Sequence, residues 1–204
     1  MPGRYRDSHP WPFYALRITT PRLELRVPDD EDIVELFAAA QAGIHPAGEM
    51  PFGVPWTDWL HEPEALHRFS SFYWASRGSI TPEKWSLPFA VVSDGAIVGT
   101  QELLAEDFAG ARSVSSGSWL TASAQGRGLG ALEAQTSAWV DNRASQRVSL
   151  RLGYLHEGQQ LLARRGEPTA HLRYRLTREA WQQNRFDGIE IHHLEPCLPF
   201  LSAA

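Results

Sequence analysis

Gln125-Gly126-Arg127-Gly128-Leu129-Gly130 sits just past the middle of a 204-residue chain. Glycine at every second position lets backbone N–H groups converge on one point, with no Cβ to hold a phosphate away. The spacing G-x-G-x-G departs from the G-x-G-x-x-G of a dinucleotide turn, and without a Gly-Lys-Ser/Thr ending it is no P-loop either. A strand is expected over about Arg112–Leu120, directly before the glycines. After them, Gln135–Val140 reads as a strand and Asn142–Leu152 as a helix stopped by Gly153.

Further out on the N-terminal side, Leu87–Val92 and Ala96–Leu104 are apolar runs joined around Asp94-Gly95. That pair tolerates the positive φ of a type I′ hairpin turn. Arg22-Leu23-Glu24-Leu25-Arg26-Val27 alternates as an amphipathic strand, and Pro28-Asp29-Asp30 ends it and supplies a helix N-cap. Ile33, Leu36 and Phe37 stripe the helix that follows, and Gly43 closes it. A second helix is expected over about Glu62–Ser76. Between the two helices, residues 44–62 form a loop of a length that usually serves function. On the C-terminal side, Leu155–Ala163 and Thr169–Leu176 form a hairpin across Arg165-Gly166, and Thr177 caps a short helix to about Arg185. These elements make one α+β domain over residues 16–185. Residues 1–15, aromatic and proline-rich, read as an arm lying over it, and residues 186–204 as an irregular tail.

Composition narrows the class. Hydrophobic residues make up 43% and charged residues 21%, as in ordinary globular proteins. A net charge of −5 gives no basic footprint for nucleic acid, and no apolar run reaches the roughly 20 residues that span a bilayer. Met1-Pro2-Gly3-Arg4 does not open an apolar signal segment, and the single Cys197 fits a reducing, cytoplasmic setting. The eight tryptophans suit a core, a ligand groove or a subunit interface. A homodimer through the arm and tail stays open. His192-His193 near Cys197 completes no metal-ligand set.

Several separated motifs in order resemble the GNAT superfamily of N-acetyltransferases, in particular the bacterial-type RimJ/RimL branch of ribosomal-protein alanine acetyltransferases. Gln125 to Gly130 resembles its Q/R-x-x-G-x-G/A pyrophosphate loop. Asn142-Arg143-Ala144-Ser145 with Leu152-Gly153-Tyr154 resembles its N-x-x-S…L-G-F/Y signature. Ile18-Thr19-Thr20-Pro21-Arg22-Leu23 with Leu25-Arg26 is similar to its opening strand, and Gly117-Ser118-Trp119-Leu120 to the strand before its loop.

The resemblance implies a mixed, mainly antiparallel central sheet flanked by helices and splayed open in the middle. Acetyl-CoA, or another acyl-CoA, is the implied co-substrate, with its pantetheine along Trp119-Leu120-Thr121 and its pyrophosphate on Gln125, Gly126, Arg127, Gly128, Leu129 and Gly130. A primary amine of a protein N-terminus, a lysine or a small molecule would attack the thioester directly, without a metal. Asn142 is expected at the pantetheine or the acceptor, with a plain helix N-cap as the other reading. Ser145 is the expected acid. Ser149 occupies the place where many relatives carry the acidic tyrosine. For the base, Glu102 on the central hairpin is preferred over His45 and Glu49 in the long loop, an outward solvated glutamate being the alternative. Arg112, Arg173 and the loop cations are charges that an acidic acyl group would meet, with plain solvated charges as the equal alternative.

One departure stands out. Only the eleven residues Ala131 to Asp141 separate Gly130 from Asn142, room for one element where the family has a helix and a strand. Gln135–Val140 is the strand, so the helix is the part expected to be missing. A degenerate, non-catalytic relative that binds a partner is therefore the alternative to an active N-acyltransferase.

Overall fold

The computed structural model describes residues 3–125, 135–184 and 187–202. Its elements run α1 (Gly3–Ser8), β1 (Arg17–Thr19), β2 (Glu24–Arg26), α2 (Asp30–Gln41), α3 (Ala65–Gly78), β3 (Lys84–Ser93), β4 (Ala96–Glu106), α4 (Phe108–Ala111), β5 (Ser115–Leu120), β6 (Gln135–Trp139), α5 (Arg143–Arg151), β7 (Leu155–Arg164), β8 (Glu167–Arg175), α6 (Arg178–Asn184) and β9 (Glu190–His192). Two antiparallel sheets result: six strands in the order β5-β4-β3-β2-β1-β9, and three in the order β6-β8-β7. Strands β5 and β6 form the facing edges. Their Cα atoms approach within 8 Å, yet among the described residues no ladder joins them. The expected α+β architecture, a mainly antiparallel sheet with a seam in the middle, is what forms.

Local chemistry explains the elements. Asp94 and Gly95 take φ of 51° and 79°, the left-handed pair that turns β3 into β4. Asp29 and Asp32 close a reciprocal capping box at the start of α2. The sequence places one strand over Arg22–Val27. In the structure β2 starts only at Glu24, because Thr20 closes a tight turn: its N–H donates to Leu23 O at 2.9 Å and its Oγ1 accepts from Leu23 N at 2.9 Å. Thr19↔Glu24 is the last pair of β1 with β2 before that turn. The strand expected from Arg112 likewise begins later, at Ser115. Asp107 caps the single turn of α4, and Arg112 is its left-handed C-cap at φ 50°.

The long sheet is covered on both faces. On one, α2 and α3 pack Ile33, Leu36, Phe69 and Tyr73 against Ala90, Val92, Ile97 and Trp119. On the other, the N-terminal segment and the tail converge on Trp85, Leu87, Phe89 and Ala105. Phe13 meets Phe200 with ring centroids 5.7 Å apart, and Trp85 Nε1 donates to Leu201 O at 3.2 Å. The tail is less irregular than its composition suggests, since β9 pairs with β1 through Ile18↔Ile191. Arg6 of α1 is buried and bonded to Val27 O, Asp29 and Asp32 at the foot of α2. Arg26 adds a bond to Asp32 at 2.8 Å.

Candidate functional site

Strand β4 carries the site's central side chain. Alternation along the β3–β4–β5 ladder turns Ala90, Thr100 and Trp119 to the α2/α3 face, and Glu102 shares it. Glu102 is half-buried, and Ser86 Oγ on β3 donates to its Oε1 at 2.5 Å. Burial pushes the carboxyl above its usual range, and the hydrogen bond from Ser86 partly opposes that. Tyr73 of α3 lies close enough to couple to this charge. Desolvation drives its phenol well above the ordinary value, against a hydrogen bond with the side chain of Thr100 and with added upward pressure from Glu102.

The 44–62 loop folds down beside these residues. Trp56 stacks at 5.7 Å from Trp119 and at 5.2 Å from Phe52, whose ring lies 5.7 Å from His45. His45 Nε2 is held by Thr57 Oγ1 at 2.9 Å, and Glu49 is exposed. The loop reaches the three-stranded sheet through Asp58, paired with Arg165 at 2.9 Å.

At the end of β5 the backbone opens toward the seam. Thr121 N donates to Val98 O at 2.8 Å, so it faces β4. Trp119 O faces β4 as well, because a Cβ on Gly99 would lie 2.1 Å from it. Backbone groups alternate along a strand, so the N–H and C=O of Leu120 between them point away from β4, to the β6 side. Gln125 Nε2 then ties the next turn down, donating to Ile44 O at 2.6 Å and Leu120 O at 2.9 Å. Gly126, Arg127, Gly128, Leu129 and Gly130 lie outside the described residues.

Across the seam, Asn142 is the N-cap of α5, its Oδ1 accepting from Ser145 N at 3.1 Å. Ser145 is half-buried, and its Oγ makes no hydrogen bond among the described residues. Ser149 is 4% exposed and its Oγ donates back to Ser145 O at 3.2 Å, the inward bond common for a helical serine. Arg112 lies 5.8 Å from the Phe108 ring and Arg173 is exposed, neither beside Glu102. His192 bonds Thr19 Oγ1 at 3.0 Å, and no metal-binding cluster occurs among the described residues.

Sequence reading missed Ser86, Tyr73 and the Asp58–Arg165 link. A polar Ser86 at an inward position of the otherwise apolar run Trp85–Val92 was the available signal for the first. The other two depend on tertiary placement alone.

The six-stranded sheet, the open seam and the separate three-stranded sheet define the fold of the GCN5-related N-acetyltransferases. No family model matches the sequence. Among solved structures the chain is similar to the Mycobacterium smegmatis RimJ in complex with a CoA-disulfide, at 20% identity over 82% of this chain and 88% of that one, TM-score 0.61. It is also similar to the RimL ribosomal L7/L12 alpha-N-protein acetyltransferase with coenzyme A, at 16% identity over 79% and 97%, TM-score 0.59. The Microcin C7 self immunity acetyltransferase MccE, in complex with acetyl-CoA and AMP, aligns at 19% identity over 76% and 91%, TM-score 0.59. Among the described residues no helix is long and apolar enough to cross a membrane.

Proposed function

We propose that this chain is an N-acyltransferase that moves an acetyl or other acyl group from acyl-CoA to a primary amine. The observation that carries the reading is the seam: on one lip Leu120 turns its N–H and C=O outward, the C=O also holding Gln125 Nε2, and Glu102 stands on the neighbouring strand. Those groups suit the amides of a pantetheine arm, and the solved neighbours with CoA or acetyl-CoA bound share the fold. Acyl-CoA supplies a thioester already activated for attack by nitrogen. Trp119, Leu120 and Thr121 line its path, Gln125 fixes the start of the glycine turn, and Gly126 to Gly130 with Arg127 receive phosphate.

Glu102 takes the proton of the attacking amine. A carboxylate lifted toward neutrality by burial is a stronger base than an exposed one while still ionised. Ser145, with a free hydroxyl near the N-terminus of α5, delivers a proton toward the departing thiolate. Asn142 caps that end of the helix, and Ser149 bonds Ser145 O one turn further along. The acceptor enters beside the 44–62 loop. A protein N-terminus is the favoured acceptor, by the likeness to ribosomal-protein acetyltransferases, and a chain with one cysteine suits a reducing cytoplasm.

A second reading is favoured by one observation. Strand β6 starts at Gln135, so four residues separate it from Gly130, about one turn of helix. That spacing is shorter than the helix that the resemblance places after the loop, whose N-terminal dipole would face a pyrophosphate. A non-catalytic relative that binds a partner would tolerate this. Isothermal titration of the folded protein with acetyl-CoA decides. Micromolar binding, followed by transfer to an amine panel, supports the acyltransferase. Absence of heat overturns it in favour of the second reading.

A further inference from the structure

Glu102 is flanked on the ladder by Pro88 on β3 and Gly117 on β5. We infer that its two oxygens have separate tasks: Ser86 anchors Oε1 as a positioning residue, and Gly117 keeps Oε2 open to the acceptor amine. This rests on Glu102 being the proton acceptor proposed above.

Pro88, directly opposite on β3, has neither N–H nor polar side chain. The donor from that strand therefore comes from the diagonal neighbour Ser86, which pairs with Leu104 and reaches Oε1 at 2.5 Å. On β5 the opposite residue is glycine, and a Cβ built there would stand 3.8 Å from Oε2. That is ordinary contact, so alanine fits, while a branched side chain would grow across the oxygen. Gly117 has φ outside the left-handed region, so backbone conformation does not demand glycine there. Clearance over Oε2 is the remaining reason for it.

Other elements leave this division intact. From α3, Tyr73 is the titratable group that faces Glu102, and its phenol is neutral across the working range. Arg77, also on α3, lines a small cavity of about 10 Å³ with Ser86 and Tyr73. Its guanidinium is committed to Asp30 Oδ1 at 2.7 Å and Pro28 O at 2.8 Å. Among the described residues, therefore, no cation is paired with the Glu102 carboxylate in competition with Ser86. One oxygen fixed and one without a hydrogen bond among the described residues gives a base with a defined direction of proton uptake. The amine N–H bond breaks, the proton goes to Oε2, and the nitrogen lone pair is released to the acyl carbon.

The test uses the full chain with acetyl-CoA and a short peptide bearing a free N-terminal alanine. In Ser86→Ala the acid limb of kcat/KM should move up by about one pH unit, since a hydrogen bond to the charged form is lost. Ser86→Thr, which keeps the hydroxyl, should restore it. Gly117→Val should lower kcat/KM by about tenfold or more with acetyl-CoA affinity retained, and Gly117→Ala should not. Titration of carbon-13 glutamate carboxyls by NMR, with Glu102→Gln identifying the signal, reads the Ser86 effect without turnover. An unchanged Glu102 titration in Ser86→Ala, or full activity in Gly117→Val, overturns the inference. Absence of any transfer by the wild-type chain counts against the acyltransferase reading instead, and the NMR titration still decides the role of Ser86.

Discussion

Arg165, at the tip of the β7–β8 hairpin, pairs with Asp58 of the 44–62 loop at 2.9 Å, 107 residues away along the chain. It is an ion pair between the 44–62 loop and the three-stranded sheet. Both side chains are nearly half exposed, so the pair is worth about 0.2–1 kcal/mol to stability. Its effect should fall on the loop instead. Asp58→Ala is expected to leave the thermal midpoint within about 2 °C while amide exchange across residues 52–59 accelerates. Unchanged exchange in that stretch would show that Trp56 and Phe52 hold the loop without help.

In the proposed reaction Glu102 sets stability against activity. Its folded-state pKa is raised, so its contribution to stability is complete below the unfolded value near 4.3 and is lost as pH rises through the folded value. At pH 8 the buried charge is a net cost. Glu102→Gln should therefore be more stable than wild type at pH 8, by about 1 kcal/mol, while losing acyl transfer. Thermal melts at pH 8 and pH 4 check this: the gain should shrink at the lower pH. A destabilised Gln variant at pH 8 would contradict it.

The Arg6 cluster has the opposite sign. Burial tends to raise Asp32, yet the hydrogen bond and charge of Arg26, with the charge of Arg6, hold it below the usual carboxylate range. A depressed carboxylate contributes stability above its unfolded pKa near 3.9, lost as pH falls through the folded value. Arg6→Ala strands Asp32 without one of its two cations and should cost about 3–5 kcal/mol at pH 7. Denaturant melts from pH 7 down to pH 2 should show that cost shrinking below about pH 4. A cost independent of pH would mean that packing, not charge, is what Arg6 provides.

Cys197 should be inert. It is fully buried, and burial pushes its thiol up to about 11. An aromatic disulfide reagent at pH 8 should label less than about a tenth of the native protein in the time that labels all of the unfolded chain. Rapid native labelling would indicate that the tail opens readily from the sheet.

Much of the architecture was legible because local signals agreed. Asp94-Gly95 announced the hairpin, and Asp29 announced α2. The strict alternation of Arg22–Val27 nevertheless misplaced a strand start, since a threonine side chain closing a turn leaves no mark in hydrophobic period. The tail gave no pattern either, because β9 spans three residues and the rest is held by contacts with Trp85 and Phe13. At the site, Glu102 and Asn142 were legible as residues, and their surroundings were not. Whether Glu102 turned to solvent or to the α2/α3 face depended on the β3–β4 register, and the bulge between Val91 and Val92 shifts that register by one residue. The N-cap reading of Asn142, weighed equally with a ligand role, corresponds to the observed bond to Ser145 N.

The tail's docking also governs the order of events during synthesis. Trp85 waits for Leu201, 116 residues later, before its indole N–H finds this acceptor, and the part of the face that the tail covers stays open until then. At roughly 5–20 residues added per second, that interval lasts many seconds. Over that interval Phe13, Tyr14 and Leu16 are the terminal-segment cover of this face, and Cys197 and Leu201 complete it.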